Sequence, residues 1–385
     1  MAAAGAVSRD DMRDMRKVLA SWTVKRFRAW RDAEGCDATV AGGGRTILTL
    51  NHDVTIEAAL SALSQRGVLS APVVDATTGD YSGWFFTCSA VLTRILAELF
   101  PSLLDDASLV TADAVAAALA KDAGPVSSLA SWAREGFLSQ LIERPGATDG
   151  DIAFAGFDDT TLLDLISRGL KRGAEVNRGD FEPSHRIAIY EEQPDGRMSV
   201  VDIVSQSDCL RVLLAEKDKL GAWVSKTSVE EAFGRKPVLC VPSTLPTIAA
   251  FALMQNTDIS GCGITGDGGK LVGHLTVSDL RCLTSAADFE LLRLPVLQFA
   301  KLRLGGDPEA PPSPGSEKVA SAQSPVVTVQ PSDSVLHLMR ALVDGKAHRA
   351  YVVERGAPVG VVTLTDILRL IAVDPDSKES EMLTW

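Results

Sequence analysis

The sequence predicts an α+β fold made of four copies of one β-α-β-β-α unit. Three observations carry this reading. Helical apolar spacing is followed by two β-branched runs in the last ~50 residues, the same order recurs three times upstream, and Gly-containing turn signals separate the paired runs in three copies. In the first copy the five slots are 46–50, 54–66, 69–75, 81–86 and 89–100. In the second, a strand near Ile152 precedes a helix over 160–171, strands over 186–191 and 198–204 flank the turn Pro194-Asp195-Gly196, and a helix begins at Gln206. The third runs through 238–241, 245–256, 260–265 and 271–276, with the hairpin turn Asp267-Gly268-Gly269 and a closing segment from Val277. The fourth is the clearest. A strand over 325–329 leads to a helix over 332–344 that puts Val335, Leu338, Met339 and Leu342 on one face; strands over 348–354 and 358–363 flank Arg355-Gly356-Ala357, and a helix covers 364–371.

Two segments interrupt the repetition. Residues 101–150 form an Ala- and Leu-rich insertion with expected helices over 112–120 and 129–142; residues 305–324, rich in Pro, Gly and Ser, read as a loop. The expected domains are repeat 1 over 20–100, the insertion over 101–150, repeat 2 over 151–220, repeat 3 over 221–304, the loop over 305–324, and repeat 4 over 325–374. Repeats 1 and 2 (20–220) and repeats 3 and 4 (221–373) are expected to form two modules joined by 220–235. Each would bury helices that neither repeat covers alone.

Composition narrows the function. The 385 residues carry a net charge of −12, with 46% hydrophobic and 23% charged residues, the profile of a soluble chain of two or three domains. An acidic balance argues against nucleic-acid and membrane-surface partners, which need clustered Lys and Arg. The six cysteines form no Cys-x-x-Cys pair, no metal site is readable, and no apolar run resembles a signal or a membrane span, so a cytoplasmic or nuclear setting is expected.

Candidate chemistry lies where each unit's last strand meets its helix. These junctions read Thr87-Cys88-Ser89-Ala90, Ser205-Gln206-Ser207-Asp208, Thr276-Val277-Ser278-Asp279 and Thr363-Leu364-Thr365-Asp366. Ser/Thr-x-x-Asp suits a helix N-cap. It also suits a carboxylate facing a cleft, where it can accept hydrogen bonds from the vicinal hydroxyls of a ribose. At a second recurring position, one strand earlier, the even units alone carry His185-Arg186 and His348-Arg349. A His-Arg pair at a strand start is an ordinary solvated edge when met once. Repeated beside Ser/Thr-x-x-Asp, it points to phosphate, which Arg grips with a planar fork of donors.

The run 348–353 followed by Gly360-Val361-Val362-Thr363-Leu364-Thr365-Asp366-Ile367-Leu368 makes the four units resemble CBS repeats in two tandem Bateman modules. The chain as a whole is similar to the regulatory gamma subunit of AMP-activated and SNF-type protein kinases, and the segments 200–213 and 294–297 resemble its plant gamma-like members. The resemblance implies a flattened disc with AMP, ADP or ATP as regulatory ligands between paired repeats. Asp279 and Asp366, with Asp208 as a third, would bind ribose; His185, Arg186, His348 and Arg349 would bind phosphate; Thr363 and Thr365 would add hydroxyl contacts. Ala90 replaces the acid in the first unit, so that site would be empty. The implied partners are a protein kinase catalytic subunit and a scaffold subunit. The alternative is a CBS interaction or scaffold protein with reduced or no nucleotide binding that regulates another partner. No enzyme is expected: the Ala41-Gly42-Gly43-Gly44-Arg45-Thr46 run lacks the P-loop lysine, and no other catalytic motif occurs, so there is no catalytic residue to name and no cofactor beyond the regulatory nucleotide.

Overall fold

The computed structural model describes residues 7–34, 47–75, 81–103, 108–120, 129–142, 156–170, 185–194, 196, 198–302, 326–374 and 376. The expected loop over 305–324 and the strand expected near Ile152 lie outside them. Two helices outside the repeat pattern open the chain, α1 (Arg9–Ala20) and α2 (Val24–Ala33). The Ser8 hydroxyl and the Asp11 carboxylate cap α1 reciprocally, and the Thr23 hydroxyl caps α2 by accepting from the Arg26 N–H.

Repeat 1 comprises β1 (Leu50–Asn51), α3 (Ile56–Gln65), β2 (Ser70–Val74), β3 (Tyr81–Phe86) and α4 (Arg94–Leu99), the last entered through a wide turn over Cys88–Thr93. The insertion supplies α5 (Ala112–Leu119) and α6 (Leu129–Trp132). Repeat 2 comprises α7 (Leu162–Leu165), continued by a wide turn over Ile166–Leu170, then β4 (Arg186–Glu192), β5 (Met198–Ser205) and α8 (Gln206–Ala215). Two short helices, α9 (Trp223–Lys226) and α10 (Val229–Phe233), occupy the segment expected to be a linker. Repeat 3 comprises β6 (Cys240–Pro242), α11 (Thr247–Asn256), β7 (Gly261–Thr265), β8 (Leu271–Thr276), a 3-10 turn over Val277–Cys282 and then α12 (Val296–Leu302). Repeat 4 comprises β9 (Val327–Val329), α13 (Val335–Asp344), β10 (Arg349–Glu354), β11 (Ala357–Thr363) and α14 (Leu364–Ala372).

The repeats agree in detail. In three of them the first strand pairs parallel with the second and the second antiparallel with the third; the β4–β5 hairpin has the same antiparallel pair, with Gly156 bridging Ile189 in parallel. Every antiparallel pair shifts register at a corresponding place, after Val73, Ile189, Ile264 and Val352. A bulge there increases local twist and ends pairing near the turn.

The residues just before each repeat's first helix also pair reciprocally with a segment from elsewhere. Ile56 donates to the Gln140 carbonyl and Ile142 to that of Val54; Thr247 donates to Leu294 and Val296 to Leu245. Val24 donates to Thr160 and Leu162 to Trp22; Val229 donates to Asp333 and Val335 to Thr227. This pairing explains why the helix expected over 129–142 stops early. The chain becomes extended near Leu141 to bridge Thr55. It also means that α2 and α10, each preceding an odd repeat in sequence, dock on the even repeat that follows it.

The helices are not buried as the module expectation states. One apolar core joins repeat 1, the insertion and repeat 3, including Leu60, Leu63, Ile95, Phe137, Phe251 and Phe289. The other joins α1 and α2 to repeats 2 and 4, including Met15, Phe27, Leu210, Leu213, Leu338 and Ile367. Helices therefore pack first with third and second with fourth. Sheets meet in the other direction: Leu271 donates to the Gly356 carbonyl, and the His274 and Tyr351 rings lie 5.9 Å apart between repeats 3 and 4. The reason is arithmetic of faces. A three-stranded sheet covered by helices on one side presents its other side, so each repeat has two partners.

Candidate functional site

Sheet register brings the two recurring motifs together. Arg186 sits opposite Ser205 and Arg349 opposite Thr363, at the edge where each hairpin gives way to a helix. The helix start is then tied back across the pair: Gln206 donates to the His185 carbonyl at 3.1 Å and Leu364 to the His348 carbonyl at 3.0 Å. Thr87 to Leu69 and Val277 to Ser260 repeat this bond in the odd units.

Each acidic residue caps its helix with one oxygen. Asp366 Oδ2 accepts from the Thr363 N–H at 2.8 Å and hydroxyl at 2.7 Å; Asp208 Oδ2 accepts from Ser205 at 2.9 and 2.7 Å; Asp279 Oδ2 accepts from Thr276 at 2.6 and 3.1 Å. Capping and ligand binding are thus compatible in Asp208 and Asp366, where Oδ1 stays outside the cap. In Asp208 it accepts from Arg211 at 3.2 Å, and in Asp366 it meets Lys236 Nζ at 2.7 Å. All three carboxylates are buried.

The two histidines meet where repeats 2 and 4 face one another, with ring centroids 6.4 Å apart. Burial, then His348, Arg349 and Arg186, push His185 down to about 3. His185 is half-buried, whereas His348 is exposed to solvent. Lost hydration and then Arg186, Arg349 and Arg281 lower it to about 4. Both rings are neutral at pH 7, in a field of three guanidinium groups. An anion arriving there gains from that field and removes much of what disfavours the imidazolium.

The arginines do not simply point into the cleft. Arg349 is buried and donates to the Gly261 carbonyl at 2.8 Å and the Ser260 hydroxyl at 2.7 Å, crossing from repeat 4 to repeat 3. Arg186 reaches Ser70 of repeat 1 at 3.5 Å. Gly261 is required by this arrangement, because a Cβ there would overlap the Arg349 guanidinium. Thr363 uses its hydroxyl in the cap, and Thr365 accepts from Gln206 Nε2 at 2.9 Å, a bond between repeats 2 and 4.

A pocket of about 170 Å³ lies beside His348, lined by Ser207 and Arg211 on α8 and by Lys346, Ala347 and Leu364 of repeat 4. Its polar residues, together with Lys236, Arg281 and Gln206, are functional candidates that the motifs do not mark. Arg211 follows Asp208 by three residues and Arg281 follows Asp279 by two, so no common spacing flags them. Lys236 and Lys346 follow no repeat pattern. Among the described residues no cluster of three His, Cys, Asp or Glu side chains could hold a metal, and no helix is long and apolar enough to cross a membrane.

Residues 229–283 and 319–373 match the CBS domain. Curated relatives include Protein SDS23 of Pyricularia oryzae, 27% identical over 53% of this chain and 36% of that protein, and Protein SDS23 of Kluyveromyces lactis, 29% identical over 49% of this chain and 40% of that protein. The matches thus span two-fifths or less of these relatives' own length. Among solved structures, protein MJ1225 of Methanocaldococcus jannaschii, described as a putative archaeal homolog of g-AMPK, superposes with a TM-score of 0.52 at 13% identity, over 84% of this chain and 96% of that one. The chain is an α+β protein with two segments that match the CBS domain, similar in sequence to the SDS23 proteins and in fold to a structure described as a putative archaeal homolog of g-AMPK.

Proposed function

We propose that this chain is a non-catalytic regulatory protein that senses adenine nucleotides in clefts between its repeats. Phosphate sits at the His185–His348 centre and ribose at the capping carboxylates. One observation carries the reading: in a chain of net charge −12, Arg186 and Arg349 act on two neutral histidines whose rings, from different repeats, lie 6.4 Å apart, and Arg281 adds to them at His348. An anion arriving among these cations gains from their field. The adjoining pocket of about 170 Å³ suits a phosphoryl group rather than a whole nucleotide, whose sites run to ~300 Å³ or more. The base and sugar would extend toward Asp208 or Asp366.

The finer reading is a gamma-type regulatory subunit of an AMP-activated or SNF-type kinase complex, of the plant gamma-like kind, in the cytoplasm and bound to a catalytic and a scaffold subunit. Calorimetry with AMP, ADP and ATP tests the ligand, and co-purification of kinase activity with the tagged chain tests the partner. A second reading, a CBS scaffold with weakened nucleotide binding, is favoured by Lys236 already holding Asp366 and by Arg349 being engaged within the protein. Saturating nucleotide that leaves the melting temperature unchanged selects it.

A further inference from the structure

We infer that Lys236 is a built-in occupant of the repeat-4 sugar carboxylate, and that displacing its ammonium group makes this cleft prefer adenine nucleotides over the uncharged nucleoside. The inference rests on reading Asp366 as a ligand carboxylate and concerns how that site selects its ligand. Asp366 is 2% exposed, and its Oδ2 is committed to the helix cap. Oδ1 is the oxygen left for ribose hydroxyls, and Lys236 Nζ stands on it at 2.7 Å.

The contact is built into the backbone around it. Arg235 anchors the preceding residue by donating to Glu230 at 2.6 Å and Glu354 at 2.8 Å. Pro237 follows, which restricts Lys236 to an extended backbone. Gly360 of β11 packs against this segment, at ordinary contact distance from the Lys236 carbonyl. Repeat 2 lacks the device: Asp208 meets Arg211 of its own helix at 3.2 Å. At Asp366 the cation instead arrives from the segment leading into the neighbouring repeat.

Ribose hydroxyls are neutral donors and replace a charge-assisted bond with weaker ones. Adenosine therefore binds against a deficit. A nucleotide does not, because the released ammonium, on a flexible four-carbon stem, can turn to its phosphate.

Calorimetry with adenosine and AMP on wild type, Lys236→Met and Lys236→Arg tests this. Lys236→Met should bind adenosine about tenfold more tightly, while AMP gains less or weakens, so that discrimination between the two narrows. Lys236→Arg, which restores a cation, should keep the wild-type preference. Adenosine binding to Lys236→Met alone also supports the inference, as a complete block in wild type. If wild type binds AMP and Lys236→Met leaves both affinities unchanged, or weakens adenosine, Lys236 is no occupant and the nucleotide reading survives. If no variant binds either ligand while all melt cooperatively, the nucleotide reading fails and the inference with it.

Discussion

Arg349 offers a sharp division between a ligand group and a structural strut. Its guanidinium makes two hydrogen bonds to Gly261 and Ser260, at 2.8 and 2.7 Å, from a side chain 9% exposed. Hydrogen bonds to a charged donor contribute roughly 1.5–3 kcal/mol each, and the cleft lets water reach part of the vacated space, so Arg349→Ala should destabilise the ligand-free protein by about 3 kcal/mol. Spread over a chain of 385 residues, that lowers the melting temperature by about 4 °C. Gly261→Ala should destabilise too, because the new Cβ overlaps the guanidinium and approaches the Leu275 carbonyl at 2.9 Å. Removing Arg349 relieves the first clash but not the second. The double variant should therefore fall short of the summed single effects by about 1 kcal/mol. Urea unfolding of the four proteins without ligand measures this cycle. If Arg349→Ala unfolds like wild type and loses only AMP affinity, the arginine serves the ligand alone and the strut is wrong. Arg349→Ala should also weaken adenosine, since loosening the contact between repeats 3 and 4 disturbs the sugar site along with the phosphate site.

Three further outcomes follow from named contacts. Arg31 and Asp202, 5% and 2% exposed and paired at 2.6 Å, pin α2 to β5, so Arg31→Ala should cost roughly 3–5 kcal/mol in urea unfolding; near-neutrality would mean that α2 docks by apolar contact alone. Asp366→Ala should lose the α14 cap, about 1 kcal/mol in the same assay, and weaken adenosine and AMP alike; loss of AMP binding only would assign it to phosphate. Because His185 and His348 are lowered to about 3 and about 4 in the folded protein, the unfolded chain takes up protons first, so their contribution is complete above the ordinary histidine value of about 6.5 and is lost as pH falls from there toward 4. Replacing both with Gln should flatten the fall in melting temperature between pH 7 and 5.5; an unchanged slope would place the acid sensitivity elsewhere.

Recurrence made the site partly legible in sequence. Ser/Thr-x-x-Asp and His-Arg each return at a fixed distance from strands that periodicity identifies, and β pairing then forces Arg349 opposite Thr363. Helical spacing marked Leu338 and Leu342 as buried, but it cannot say against what. The same stripe fits a partner in the neighbouring repeat or in the one after, so the packing of helices between repeats 2 and 4 went unread. The helices α1 and α2 belong to no repeat, and their role depends on Thr23 bridging Thr161, far away in sequence. Lys236 is an ordinary Lys before a Pro; only the position of Asp366 gives it meaning.

The phosphate centre is tested most directly by titrating AMP and adenosine into wild type and the His185→Ala/His348→Ala double variant by calorimetry at pH 7. AMP should bind wild type and weaken about tenfold or more in the double variant, with adenosine little changed, because the lost contacts are those made to phosphate. AMP affinity unaltered by removal of both histidines, or no heat from AMP, ADP or ATP with the wild type, would contradict a nucleotide phosphate at this centre.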